Sequence, residues 1–366
     1  MVCTAAIVGA IASTIAVIAV LQRSAGTNSP TASMSPAPTR DTTPTPTPTP
    51  LTPAERLLAD SGDANACVVS FAGEAILDAP VLEQRGLLYA HLPIPMREGA
   101  VFAGWYPSPQ DAAAFAQASR INGADAVVCT DRQITLYGAW KSPQGVAAAD
   151  VGVPILMYHQ FTTRPEGESG WLRGNYAYIG DFDAHMAYLA QQQFYLPTWD
   201  ELSAFIDGRL FLPARSAIVT DDDADQTWFD LAVPVIDAHK VLATSFMITA
   251  YRQDPAPSPY VLRRSHTHDM HQGGDNGDGR MVNWTADEIA ADLVASAGVL
   301  GVKEVMAYPF GDYSDTAKQG VAQAGFTMAR TIEPGYVRIG TDKLALPTIR
   351  IDYGMGLDAF IGLVGR

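Results

Sequence analysis

The chain has 366 residues, of which 48% are hydrophobic and only 17% charged, and its formal net charge is −15. That is enough apolar material for two or three folded domains. The acidic balance argues against a nucleic-acid partner, because phosphate binding needs a basic surface.

Residues 1–22 contain no charged side chain, and residues 5–21 are almost wholly apolar. A run of about 17 such residues reaches the lower limit for a bilayer-spanning helix. The Lys/Arg region that normally opens a signal peptide is missing. Residues 1–23 are therefore expected to act at the membrane, as a signal or as an anchor. The chain would then work outside the cytoplasm, at the cell surface or secreted. Residues 24–55 are mostly Ser, Thr, Pro and Ala, with a Thr-Pro repeat just before Leu51. Such a composition cannot bury apolar surface, and alternating proline favours extended backbone, so a disordered stalk is expected.

Three cysteines are present. Cys3 stands before the apolar run, at the wrong end for a lipoprotein cleavage site. Cys67 and Cys129 fall in the segment that follows the stalk. In an oxidising compartment they are suited to a disulfide, with two buried thiols as the alternative.

Residues 66–142 form a unit of their own. Cys67-Val-Val-Ser-Phe71 and Ile134-Thr-Leu-Tyr-Gly-Ala-Trp140 alternate as strands do, and Phe102-Ala-Gly-Trp-Tyr106 carries an aromatic pair. These segments resemble the repeat module of bacterial surface proteins first recognised in Listeria and Bacteroides. The resemblance implies a small β-rich, grasp-like sheet, serving as a spacer or binding wall glycan. No chemistry-bearing motif lies in it, so its removal is expected to leave activity intact.

From Val153 the pattern changes to apolar strands alternating with amphipathic helices. Val153-Pro-Ile-Leu-Met-Tyr158, Ala217-Ile-Val219 and the run 241–248 read as buried strands. Asp181 is placed to cap a helix bearing Phe182, Met186 and Leu189. Thr198-x-x-Glu201 and Thr285-x-x-Glu288 are capping boxes, the first helix stopping at Gly208. Residues 153–366 thus read as an α/β domain with a parallel sheet or barrel, whose active site belongs at the carboxyl ends of the strands.

Three polar clusters follow apolar strands. Thr220-Asp221-Asp222-Asp223-Ala224 sets consecutive carboxylates after a buried strand, where repulsion and desolvation penalise each unless a metal ion accepts one. Arg263-Arg-Ser-His266-Thr-His-Asp-Met-His271 holds three of the seven histidines within six residues. Imidazoles with a carboxylate are the usual ligands of a catalytic zinc. Val305-Met-Ala-Tyr308-Pro309-Phe310-Gly311 ends in a turn that means little alone.

In this order the clusters resemble the metal-dependent polysaccharide deacetylases, over residues 153–350. Ala243-Thr-Ser-Phe246 is similar to the strand that follows that family's first motif. Pro154-Ile-Leu-Met-Tyr-His159 and Ala307-Tyr-Pro-Phe-Gly311 resemble the circularly permuted branch acting on poly-N-acetylglucosamine. The resemblance implies a distorted (β/α) barrel. It makes Asp222 the general base, Asp223, His266 and His271 the ligands of a divalent metal, zinc before others, and His159 the general acid. Tyr308, Pro309 and Phe310 become the substrate-side loop. The implied reaction removes N-acetyl groups from an N-acetylglucosamine polymer and releases acetate. A glycan-binding protein with a degenerate site and a carbohydrate O-acetyl esterase are the alternatives. Asp221 stands where the family has Phe, Ala224 where it has Gly, and Ala307 where many members carry arginine. His268 and His239 are read as non-ligands, the latter a helix-end residue.

Overall fold

Residues 50–365, apart from His91 and Asp275, are described by the structure, a computed structural model. The apolar segment 1–23 and the stalk as far as Thr49 lie outside the described residues. The last residues of the predicted stalk are helical: Thr52 and Glu55 close a capping box on the helix Pro53–Ser61, with proline in its first turn. Among the described residues no helix is long and apolar enough to cross a membrane.

Strands β1 (Ala66–Ala72), β2 (Val81–Gln84), β3 (Val101–Tyr106) and β4 (Gln133–Lys141) form a sheet in the order β2-β1-β4-β3. The central pair is parallel and the outer pairs antiparallel. Phe71 and Phe102 pack on Trp105, and Trp140 on Phe102, with ring centroids 4.6–5.5 Å apart. Cys67 and Cys129 are joined in a disulfide with Cα atoms 6.3 Å apart, within the usual bridging range.

Strand β5 (Ile155–Tyr158) follows, then a small pair, β6 (Gln160–Thr162) and β7 (Tyr176–Tyr178). Five more strands follow, with helices between all but the second and third: β8 (Ile218–Asp223), β9 (Ala243–Met247), β10 (Val261–Ser265), β11 (Val305–Ala307) and β12 (Met328–Pro334). With β13 (Leu346–Arg350) they close into a parallel barrel ordered β10-β11-β12-β13-β5-β8-β9. The barrel is distorted. The β10–β11 seam pairs at Ser265–Met306 alone, and the register slips between Arg330 and Pro334. The predicted boxes at Thr198 and Thr285 both form. Asp181 does not cap its helix. The chain enters Ile179–Gln191 straight from β7, so Tyr178 takes the cap position and Asp181 lies in the first turn, where a carboxylate favours the helix dipole.

One apolar cluster runs through the barrel floor into the first sheet. Ile155, Ile218, Val305, Met328 and Leu346, the first residues of their strands, share it with Trp199 and Leu210 and with Cys67, Phe102, Trp105 and Leu136. Phe102 also donates its N–H to Arg209 O (3.0 Å) and accepts from Phe211 N–H (2.8 Å). The small sheet therefore plugs the amino-terminal mouth of the barrel, leaving the carboxyl-terminal mouth for chemistry.

A second cluster fills the space between strands and helices, and it contains an ionisable group. His185 is 1% exposed, stacked on Phe360 at 4.1 Å, with Nδ1 3.1 Å from the Tyr158 hydroxyl. Burial pushes its imidazole down from 6.5 to about 4. Between those values the unfolded chain binds a proton that the folded chain refuses. Stability present above pH 6.5 is thus lost progressively towards pH 4, by about 3 kcal/mol for this group. Urea unfolding at pH 7.5, 5.5 and 4.5 should show this fall in the wild type and a shallower one in His185→Phe. Parallel pH profiles for the two proteins would assign the acid lability elsewhere.

Candidate metal centre

The site is built from strand β8. Thr220 donates its hydroxyl to Leu156 O at 3.0 Å, locking β8 to β5. Successive strand residues face opposite sides, so Asp222 faces the barrel axis and Asp221 shares the face of Val219, which packs with Val233 and Ile236 of the next helix. Asp223 and Ala224 then adopt φ of +74° and +50°, a left-handed pair that swings the chain out of the strand at a cost in backbone strain. Ala224 accepts that conformation where the family pattern has glycine.

His266 leaves β10 at the same end. Its Nδ1 lies 2.9 Å from Ala307 O. A carbonyl only accepts, so Nδ1 carries the hydrogen and Nε2 is the ring atom left to ligate. That Nε2 lies 3.4 Å from Asp223 Oδ1, and His271 Nε2 lies 3.2 Å from the same oxygen. Ligand atoms of Asp223, His266 and His271 all fall within 4.8 Å of one another. A buried carboxylate oxygen with no well-formed hydrogen bond, faced by two imidazole nitrogens, suits a cation placed among them. Two imidazoles and a carboxylate are the donor set of catalytic zinc sites. The residues therefore fit a divalent metal.

Asp222 is 3% exposed and bonds through Oδ1 to the Arg330 guanidinium. Its Oδ2 lies 3.8 Å from His159 Nε2. Burial alone would raise the Asp222 carboxyl, but Arg330, His266 and His159 hold it below the usual carboxylate range. Burial lowers His159, against the pull of Asp222 and Asp223. Arg330 itself is 0% exposed, with Nη1 donating to Thr331 O at 3.3 Å. It was not singled out in the sequence. A lone arginine in the apolar strand Met328-Ala-Arg-Thr331 was the available signal, since a buried charge requires a partner. Its register explains the missing family arginine: Arg330 pairs with Ala307 across β11 and β12, so the guanidinium arrives from the neighbouring strand.

A cavity of about 400 Å³ is lined by His159, Asp222, Asp223, His266 and His271, with Phe310 and Trp171 on its rim. Asp221, wholly buried, does not line it. Of the three substrate-loop residues, only Phe310 does. Tyr308 is 1% exposed with its hydroxyl on Leu344 O and its N–H on Arg330 O. Pro309 is buried and has no N–H to offer. The strand-end turn points both side chains inward. Phe310, at φ +59°, lies 4.3 Å from the His271 ring. Gly311 permits that turn, because a Cβ there would meet Ile332 at 2.3 Å. His268 turns away, with Nδ1 3.0 Å from Thr249 Oγ1, and His239 ends its helix beside Asp183.

Comparison with known proteins places this fold beside known deacetylases. Residues 212–329 match the polysaccharide deacetylase family. The poly-β-1,6-N-acetyl-D-glucosamine N-deacetylase of Staphylococcus aureus is 26% identical over 175 residues, spanning 42% of this chain and 59% of that protein. The enzyme of the same name from Staphylococcus epidermidis is 24% identical over 173 residues, 42% of this chain and 58% of that one. The chain thus covers less than two thirds of these relatives. In fold it is similar to the crystal structure of a polysaccharide deacetylase from Bacillus cereus, with a TM-score of 0.50 at 18% identity over 63% of this chain and 72% of the other. This chain carries a polysaccharide deacetylase domain, homologous to the poly-β-1,6-N-acetyl-D-glucosamine deacetylases.

Proposed function

We propose that the protein is a metal-dependent hydrolase that removes N-acetyl groups from an N-acetylglucosamine-containing surface polysaccharide and releases acetate. The observation that carries this reading is the convergence of Asp223, His266 and His271 beside the Asp222–His159 pair in one cavity at the barrel's carboxyl-terminal mouth. The names of its relatives point to the same substrate class. Membrane attachment through residues 1–23 and action at the cell surface belong to the same proposal.

Asp223, His266 and His271 would hold a divalent ion, zinc before others, which supplies an acidified water and polarises the acetamide carbonyl. Asp222, kept ionised by Arg330, takes the water's proton as oxygen attacks carbon. The C–N bond then breaks only if nitrogen gains a proton, because an amide anion is too basic to leave. His159, its Nε2 3.8 Å from Asp222 Oδ2, is placed to pass on to that nitrogen the proton that Asp222 has taken. Acetate and a free amine are the products.

The test is acetate release from N-acetylglucosamine oligomers before chelation, after it, and after restoring zinc. Release that disappears with chelator and returns with metal is expected. A metal-loaded protein that binds the oligomers without releasing acetate would instead be a glycan-binding protein. Release confined to O-acetylated sugars would make it an esterase.

A further inference from the structure

His266 and His271 reach one point only because the chain between them turns sharply, and that turn is strained. Thr267, a β-branched residue, sits at φ +73°, a conformation that persists only when surrounding structure imposes it. The helix Ala286–Leu300 imposes it together with Thr249 and Ala250, whose N–H groups donate to Thr267 O (3.1 Å) and His268 O (2.9 Å). The helix start is fixed by the Thr285–Glu288 box and its end by Gly301. From its buried face Asp292 reaches the turn, with Oδ1 accepting from His268 N–H at 2.7 Å and Oδ2 accepting from Asp269 N–H at 2.8 Å. One helical turn on, Ser296 Oγ lies 2.8 Å from Ser265 Oγ, which accepts from Thr267 N–H at 3.0 Å. Both oxygens of a 9% exposed carboxylate are thus committed to backbone N–H groups lying between two ligands.

We propose that Asp292, supported by Ser296, is a positioning residue that sets metal affinity by holding the His266–His271 turn in its strained shape; this rests on the metal-centre reading above. Neither side chain touches the cavity. Their effect is transmitted through the backbone, as with other groups that orient metal ligands at one remove.

The experiment measures zinc affinity of the full chain by competition with a chromophoric chelator, and the visible spectrum of the cobalt form, for wild type, Asp292→Asn, Asp292→Ala and Ser296→Ala. Metal-free circular dichroism melts identify which variants are folded. Folded Asp292→Ala should bind zinc about 10–100-fold more weakly and show an altered cobalt spectrum. Asp292→Asn, which keeps one accepting oxygen, should fall between it and wild type. A role confined to fold stability would lower the metal-free melt but leave affinity and spectrum unchanged, and that result overturns the proposal. If Asp292→Ala does not fold, unchanged affinity in both Asp292→Asn and Ser296→Ala overturns it equally. A wild type that binds neither ion overturns the metal centre itself, and this proposal with it.

Discussion

Asp222→Asn is expected to retain bound metal yet lose turnover by about 10²- to 10⁴-fold, the usual contribution of a positioned general base. The candidate ligand atoms belong to Asp223, His266 and His271, so on the proposed mechanism the amide removes the proton acceptor and leaves the donor set whole. It also leaves Arg330, 0% exposed, without its counter-charge. Breaking a buried pair from one side costs about 3–5 kcal/mol, so the variant should also melt lower than wild type. Metal content, kcat and the thermal melt are measured together. A variant with full metal content and near-normal kcat would remove Asp222 from the role of base. Asp221→Asn is the control. Its carboxyl is wholly buried on the opposite strand face, where burial and the adjacent carboxylates push its pKa well above the usual range. Exchange for a neutral amide should therefore spare turnover.

A chain beginning at Ala148 is expected to lose cooperative folding, and with it acetate release. Motif positions alone lead to the opposite expectation, since every reacting residue lies beyond Val153. The apolar cluster reverses it. Removing β1 to β4 strips Phe102, Trp105 and Leu136 from the barrel floor and uncovers Trp199, Leu202, Phe205 and Leu210. Two or three such side chains, at about 1.5–3 kcal/mol each, take away much of the roughly 5–15 kcal/mol that holds a domain folded. Urea denaturation followed by circular dichroism, with acetate release on short oligomers, decides the matter. A sharp transition and full activity in the shortened chain would show that the sheet is an independent domain.

What the amino-acid sequence determined by itself was local. Adjacent carboxylates after an apolar strand, histidines five residues apart and two Thr-x-x-Glu boxes are patterns among near covalent neighbours, and their geometry follows from strand ends and helix starts. They drew attention to Asp221–Asp223 and to the His266–His271 run, while His159 and the separate roles came from the family resemblance. The tertiary structure decided what depends on which strands become neighbours. Arg330 stands 108 residues from Asp222, and only closure of the barrel, with Ala307 and Arg330 in register, brings the two charges together. The inward turn of Tyr308, the hold of Asp292 on the histidine loop and the plugging of the barrel by the first sheet have the same origin. Each is a contact between distant segments, set by the summed burial of many side chains, and no short stretch of sequence carries that sum.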